Sequence, residues 1–279
     1  MIGYRMKPLG IASRTILLLA VLVVAAGCKD ASPSADVAVT NSMFECVVVE
    51  LAGDDVAIMR LAEPGMCPGH FDMRPSQIES LRACRVLLRL DFQQSLDRKL
   101  AGVSGEGLRV AEINVPGGLC EPDSYLAAAR EIAESLVAAD LLDRAVADNR
   151  LAAIEKRMAE LKHRCQQRVQ PIRGAAVLAT VHQKAFCESL GLDVVATFSA
   201  ADTAGVGQLD HAVRAAEAAN VRAIIANQPE GRRTADALAD RLDVSVIMFG
   251  NFPAMTDQQA TFDQLVEANV DALVKAIGD

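Results

Sequence analysis

The chain is predicted to be an α/β protein of two lobes, each with a four-stranded parallel sheet flanked by helices, the two lobes linked by one long helix. Three observations carry that prediction. Short β-branched apolar runs alternate with helical patterns, eight such runs fall into two sets of four, and the stretch between the sets is nearly free of Gly and Pro. At 279 residues and 51% hydrophobic, the chain is too long for a single minimal module and too apolar to stay disordered. With 28 basic against 36 acidic side chains, 4% aromatics and no Trp, it lacks the basic surface and stacking rings of a nucleic-acid binder.

Residues 1–27 read as an export signal, because Arg5, Lys7 and Arg14 precede the apolar stretch Ile16 to Ala26. That stretch is short for a membrane span of about 20 residues. Ala25-Ala26-Gly27 directly before Cys28 resembles the bacterial lipobox, in which the Cys is lipidated and becomes the first residue, although Ala25 stands where Leu is commoner. An ordinary signal peptide or an uncleaved anchor is the other reading. Residues 28–36, small and polar with Ser32, Pro33 and Ser34, suit a tether between a lipid anchor and a folded body.

The N-terminal β/α lobe is expected over 37–138, with strands at Val37 to Asn41, Val56 to Leu61, Arg85 to Leu90 and Leu108 to Ile113. Helices fill the gaps, one opening at Pro75-Ser76-Gln77 with proline in its first turn, another over Phe92 to Val103. Ser124 to Gln170 is dense in strong helix formers and is expected to be helical throughout, the linking helix being 139–171. Leu142, Val146, Leu151, Ile154, Met158 and Leu161 form its apolar stripe. From Leu141 to Gln170 it would run roughly 45 Å, the length of a two-lobed molecule, with coiled-coil dimerisation as the rival use of the stripe. The C-terminal β/α lobe, 172–279, takes strands at Ala175 to Thr180, Asp193 to Phe198, Ala223 to Asn227 and Val244 to Phe249. Its helices fall at about 183–190, 207–220, 231–242 and 260–277.

Three segments carry a family resemblance. Pro64-Gly65-Met66-Cys67-Pro68-Gly69-His70-Phe71-Asp72-Met73-Arg74-Pro75-Ser76 resembles a Pro-Gly-x-Asp-Pro-His-x-x-Glu-Pro-x-Pro-Ser segment that follows a second strand and supplies a metal histidine. His182-Gln183-Lys184-Ala185-Phe186, with Gly191-Leu192 and Val194 to Phe198 behind it, is similar to a His-x-x-Phe segment opening a second lobe. Asn269, Asp271, Ala272, Leu273 and Val274 resemble a last helix. Together they resemble the metal-specific solute-binding lipoproteins of bacterial ABC importers, the zinc and manganese group called cluster A-I. The resemblance implies a lipid-anchored monomer, facing the periplasm or cell exterior, that carries a metal ion to a membrane ABC permease.

The departures from the family pattern fall on the metal site. His70 lies one residue off register, with Gly69 in the expected slot. A second family histidine, in His-Val-Trp-Leu-Asp-Pro after the fourth strand, is replaced by Pro116-Gly117-Gly118-Leu119-Cys120-Glu121-Pro122. A final family carboxylate, after the last strand, is replaced by Met248-Phe249-Gly250-Asn251. Ligand groups collect at the carboxyl ends of parallel strands, so the loops after strands two and four of the first lobe are expected to lie together, facing the cleft. Cys67 and His70 on the first loop, Cys120 on the second and His182 on the facing lobe make a tetrahedral set suited to zinc, with manganese, iron or copper as alternatives. Asp72, Glu121, Cys187, Gln93 and Asn251 are reserve ligands or supporting partners.

Beyond Cys28 the cysteines are 46, 67, 84, 120, 165 and 187, an even count in an oxidising compartment, so a Cys67–Cys120 disulfide competes with metal ligation. Cys46 and Cys84 read as buried hydrophobes, and His163, Cys165 and His211 as surface or packing residues. No phosphate loop, Gly-x-Ser-x-Gly elbow or His-Glu-x-x-His occurs, so no enzyme is expected. A non-metal ligand on the same scaffold, or a structural lipoprotein closed by the disulfide, are the alternatives to metal capture. If Cys28 is acylated, Cys28→Ser releases the protein from the membrane fraction or leaves an unprocessed precursor, read by fractionation and mass spectrometry. An unchanged membrane fraction retaining Arg5 to Ala26 shows an uncleaved anchor instead.

Overall fold

All eight predicted strands form, trimmed at most by about two residues at an end, and the central strands of each sheet are apolar runs buried on both faces, the parallel-sheet signature. The computed structural model describes residues 35–66, 73–100, 107–199, 206–255 and 260–278. The export signal, Cys28, most of the tether, and Cys67, His70 and Asp72 lie outside the described residues. In the first lobe the strands are β1 (Val37–Val39), β2 (Ile58–Arg60), β3 (Val86–Leu90) and β4 (Arg109–Ile113), all parallel, in the order β2-β1-β3-β4. The second lobe repeats that order with β5 (Ala176–Thr180), β6 (Asp193–Phe198), β7 (Ala223–Asn227) and β8 (Ser245–Phe249) as β6-β5-β7-β8. Each sheet therefore reverses its winding at its centre, between β1 and β3 and between β5 and β7, and leaves a crevice at those carboxyl ends.

This order corrects one expectation. The loops after β2 and β4 leave from opposite edges of the first sheet, separated by β1 and β3. At about 4.8 Å per strand step they start some 14 Å apart rather than side by side.

The helices are α1 (Ser42–Ala52), α2 (Pro75–Leu81), α3 (Ser95–Leu100), α4 (Pro122–Ala138), α5 (Arg144–Arg168), α6 (Lys184–Ser189), α7 (Val206–Ala219), α8 (Arg233–Leu242) and α9 (Phe262–Gly278). Two differ from expectation. The stretch Ser124 to Gln170 is broken between α4 and α5, where Asp140 takes a left-handed conformation (φ +54°) and Asp143 caps α5, accepting from Ala145 N at 2.8 Å and Val146 N at 3.2 Å. An aspartate at the N-cap satisfies amides that the first turn leaves open, and that local gain outweighs continued helix. After β3 the chain forms a 3-10 turn, Asp91–Gln93, before α3, and Phe92 is exposed rather than on an apolar helical face.

The core is one continuous cluster running through both lobes. It joins Val37, Val39, Val86 and Leu88 of the first sheet and Val177, Ala179, Ala223 and Ile225 of the second to α1, α4, α5 and α9. Smaller clusters cover the outer faces, Ala38, Leu87, Leu81 and Leu96 in the first lobe and Leu178, Ile224, Ala212 and Leu238 in the second. The linking helix α5 buries Ala147, Ile154, Met158, Leu161 and Cys165 in the shared core. Val146, placed on that stripe from the sequence, is instead 39% exposed, because in a helix continuous from Arg144 its neighbour Ala147 is the residue in phase with Ile154, Met158 and Leu161.

Polar contacts reinforce the seam. Arg157 on α5 reaches Glu50 of α1 at 2.7 and 2.8 Å and forms an ion pair with Asp263 of α9 at 3.2 Å, so one guanidinium spans both lobes. Tyr125 of α4 donates to Glu50 at 2.9 Å and stacks on Phe262 of α9, ring centroids 4.2 Å apart. Among the described residues no helix is long and apolar enough to cross a membrane.

Ile154 is 3% exposed, so Ile154→Asp places an unpaired charge in the shared core and is expected to lower unfolding free energy by about 3 kcal/mol or more. Val146→Asp should change it by less than about 0.5 kcal/mol. Chemical denaturation of both variants checks the contrast; equal losses would overturn the placement of the stripe.

Candidate metal centre

The connection from β2 to α2 carries Cys67 and His70, and a single side chain fastens both of its ends. Gln77, buried on α2, donates through Nε2 to Leu61 O at 2.8 Å and accepts through Oε1 from Arg74 N at 2.9 Å. Pro75 opens α2 directly after Arg74, since its fixed φ suits a first helical position and its missing N–H loses nothing there. The chain thus leaves the sheet and re-enters a helix at two tied points.

Cys120 sits just before α4, 1% exposed, and faces the second lobe. Its Sγ donates to Gly250 O at 3.0 Å, and Asn269 Nδ2 approaches the sulfur at 3.7 Å. The Asn269 amide also grips Gly250 itself, accepting from its N at 2.9 Å and donating to its O at 3.0 Å. Burial pushes the Cys120 thiol up to about 12, so it rests protonated. Cys120 is a free thiol, and Cys67, its partner in the disulfide weighed from the sequence, lies outside the described residues. Cys187, fully buried on α6, is likewise raised by burial first and by Cys120 next.

His182 follows β5, with its side chain 55% exposed. Its Nε2 lies 3.1 Å from Glu230 Oε1, and that hydrogen bond raises the imidazole above its ordinary value. Glu230 ends a 3-10 turn, Gln228–Glu230, that begins where β7 stops, and Gly231 at φ +74° lets the chain turn away into α8. β5 and β7 are neighbours across the switch point of the second sheet, so His182 and Glu230 stand on the two sides of its crevice. The histidine was legible from the sequence; the glutamate was not singled out, although it is the first carboxylate after β7.

The loops of Cys120 and His182 meet even though their side chains bond elsewhere. A Cβ at Gly118 would stand 3.5 Å from Phe186 N and 3.7 Å from His182 O. Gln183, wholly buried, donates its amide to Asn251 Oδ1. Gln93 accepts from Leu90 N at 2.9 Å at the end of β3, and Glu121, raised mainly by burial, precedes α4 and accepts from Ser124 Oγ at 3.5 Å without capping the helix through its side chain. Among the described residues no three of His, Cys, Asp and Glu converge closely enough to hold a metal. The structure thus brings the second-lobe histidine and a carboxylate together and leaves Cys120 as a protonated thiol behind them.

Comparison with known proteins places this arrangement. The family described as ZnuA, zinc-uptake complex component A, periplasmic, matches residues 37–276. No curated protein matches the chain. Among solved structures, a Mn-bound periplasmic metal binding protein from candidatus Liberibacter asiaticus is similar at TM-score 0.72 and 11% identity, covering 86% of this chain and 98% of that one. ZnuA is similar at TM-score 0.69 and 16% identity, covering 87% and 99%. A mutant of the laminin-binding adhesin Lmb from Streptococcus agalactiae is similar at TM-score 0.72 and 15% identity, also covering 87% and 99%. At these identities the structures share the fold, while the family match spans residues 37–276 of the 279 in the chain. The chain belongs to the ZnuA family and is a periplasmic metal-binding component of an ABC importer.

Proposed function

We propose that this member captures a single transition-metal ion, zinc first and manganese, iron or copper as alternatives, at the facing strand ends of its two sheets and delivers it to the permease. The observation that carries this reading is the position of His182: an exposed imidazole at the switch point of the second sheet, its main chain packed against the loop of Cys120. Cys67 and His70 on the β2–α2 connection supply the first-lobe donors, and His182 the second-lobe donor. A mixed sulfur and nitrogen set favours zinc and also accepts iron or copper(I). Cys120 joins it only by releasing Gly250 O and its proton, an exchange that a bound cation drives by binding the deprotonated form. Acylation at Cys28 holds the monomer at the membrane beside its permease; one chain alone binds weakly, and multiple acylation holds firmly.

Zinc affinity of metal-stripped mature protein, measured by competition with a chromophoric chelator, should fall by orders of magnitude in His182→Ala, and the zinc-dependent rise in melting temperature should shrink with it. Equal affinity in wild type and variant would defeat a site shared between the lobes. Titration with a thiol reagent at pH 8 should leave Cys120 unmodified in the native protein and label it after denaturation, mapped by peptide mass spectrometry. Rapid native labelling at Cys120 would show that the seam with Gly250 opens freely.

A further inference from the structure

We infer that Glu230 is a metal ligand, paired with His182 on the second lobe, and that it replaces the carboxylate missing after β8. The inference rests on the metal-capture reading above and names one more of its donors. Met248 to Asn251 offers no carboxylate at the end of β8, yet β7 lies beside β8 in the sheet and carries Glu230 just past its own carboxyl end. The two strands themselves lie one step, about 4.8 Å, apart.

Distance and satisfaction both support a cation here. Donors that share one ion at about 2.0 to 2.2 Å stand roughly 3.0 to 3.5 Å apart at octahedral to tetrahedral angles, and His182 Nε2 and Glu230 Oε1 are 3.1 Å apart. A simple surface ion pair would leave both carboxylate oxygens to water. Here the Glu230 side chain is only 15% exposed, and its Oε2 is buried with no hydrogen-bond partner. The same deficit recurs around it. Of five buried side-chain atoms without a partner among the described residues, four are oxygens at the ends of β5 and β7: Thr180 Oγ1, Gln183 Oε1, Asn227 Oδ1 and Glu230 Oε2. Buried acceptors are ordinarily paired, and a group of them at one crevice marks a place for a positive ligand.

The chemistry that follows is harder than the thiol and imidazole set alone. An anionic oxygen beside neutral amide oxygens adds the hard donors that suit manganese better than thiolate does, although zinc remains the tighter ion at a given donor set. Glu230 thereby sets how well the site holds Mn²⁺ relative to Zn²⁺. Were Glu230 only an orienting partner of His182, its loss would weaken all metals alike and leave the ion's ligand set unchanged.

The test uses mature, metal-stripped protein with Zn²⁺, Mn²⁺ and Co²⁺ as probes. Glu230→Gln should weaken Zn²⁺ by more than about 100-fold, beyond the loss that an outer partner usually causes, abolish measurable Mn²⁺ binding and change the Co²⁺ d–d absorption bands. Glu230→Asp, which keeps the carboxylate, should retain Mn²⁺ binding in part, and thermal melts of both metal-free variants establish that they fold. A Glu230→Gln protein with wild-type Co²⁺ bands overturns the assignment. The two readings fail differently: His182→Ala weakening zinc while Glu230→Gln does not removes Glu230 alone, whereas a wild type that binds none of the three ions removes metal capture itself.

Discussion

Helix α5 must serve two lobes with one face. Its buried stripe lies in the core cluster that also holds the inner strands of both sheets, and Arg157 extends the same duty to charge by holding Glu50 on one side and Asp263 on the other. Parallel sheets require cover on both faces, and α5 packs on α1 and α4 and, to a lesser extent, on α9, so the helical layers of the two lobes share it. Separating the lobes would expose the aromatic stack of Tyr125 on Phe262 and pull apart the half-buried ion pairs of Arg157, which favours small displacement over α5 above free hinging.

That constraint also places the thiol. Cys120, Gly250 and Asn269 form a polar seam inside otherwise apolar contact, and the Asn269 side chain presents its amide to Gly250 much as a neighbouring strand presents its backbone. A Cβ at Gly250 would come within 2.6 Å of a terminal methyl of Leu265, so a side chain there requires Leu265 to shift. The glycine after β8 thus sits against the close approach of α9.

Much of this molecule was legible in its residues. The strands announced themselves through runs such as Val86 to Leu90 and Ala223 to Asn227, buried along their whole length. The break after Ala138 did not, because Ala and Leu on both sides outweigh, in any propensity sum, the two aspartates that end one helix and cap the next. At Val146 the apolar side chain misled, because the small Ala147 beside it holds the in-phase buried position. At the site, His182 stood out as a histidine between a strand and a helix, whereas Glu230 acquires its meaning only from the pairing of β5 with β7, a relation between distant segments. Cys120 was visible as a thiol; its burial, and hence its proton, depends on Gly250 and Asn269 more than a hundred residues away.

Gln77 has a consequence for how such a site changes over time. By fixing Leu61 and Arg74, it makes the chain between them a closed ring whose anchors are independent of what the ring contains. For a ring of about a dozen residues, adding or removing one alters the closure entropy by only ~0.1 kcal/mol. The one-residue offset of His70 from the related pattern is then nearly neutral for folding. Selection could shift a donor along this connection and let ligand geometry drift, while the sheet and helix that hold the ring remained as they were.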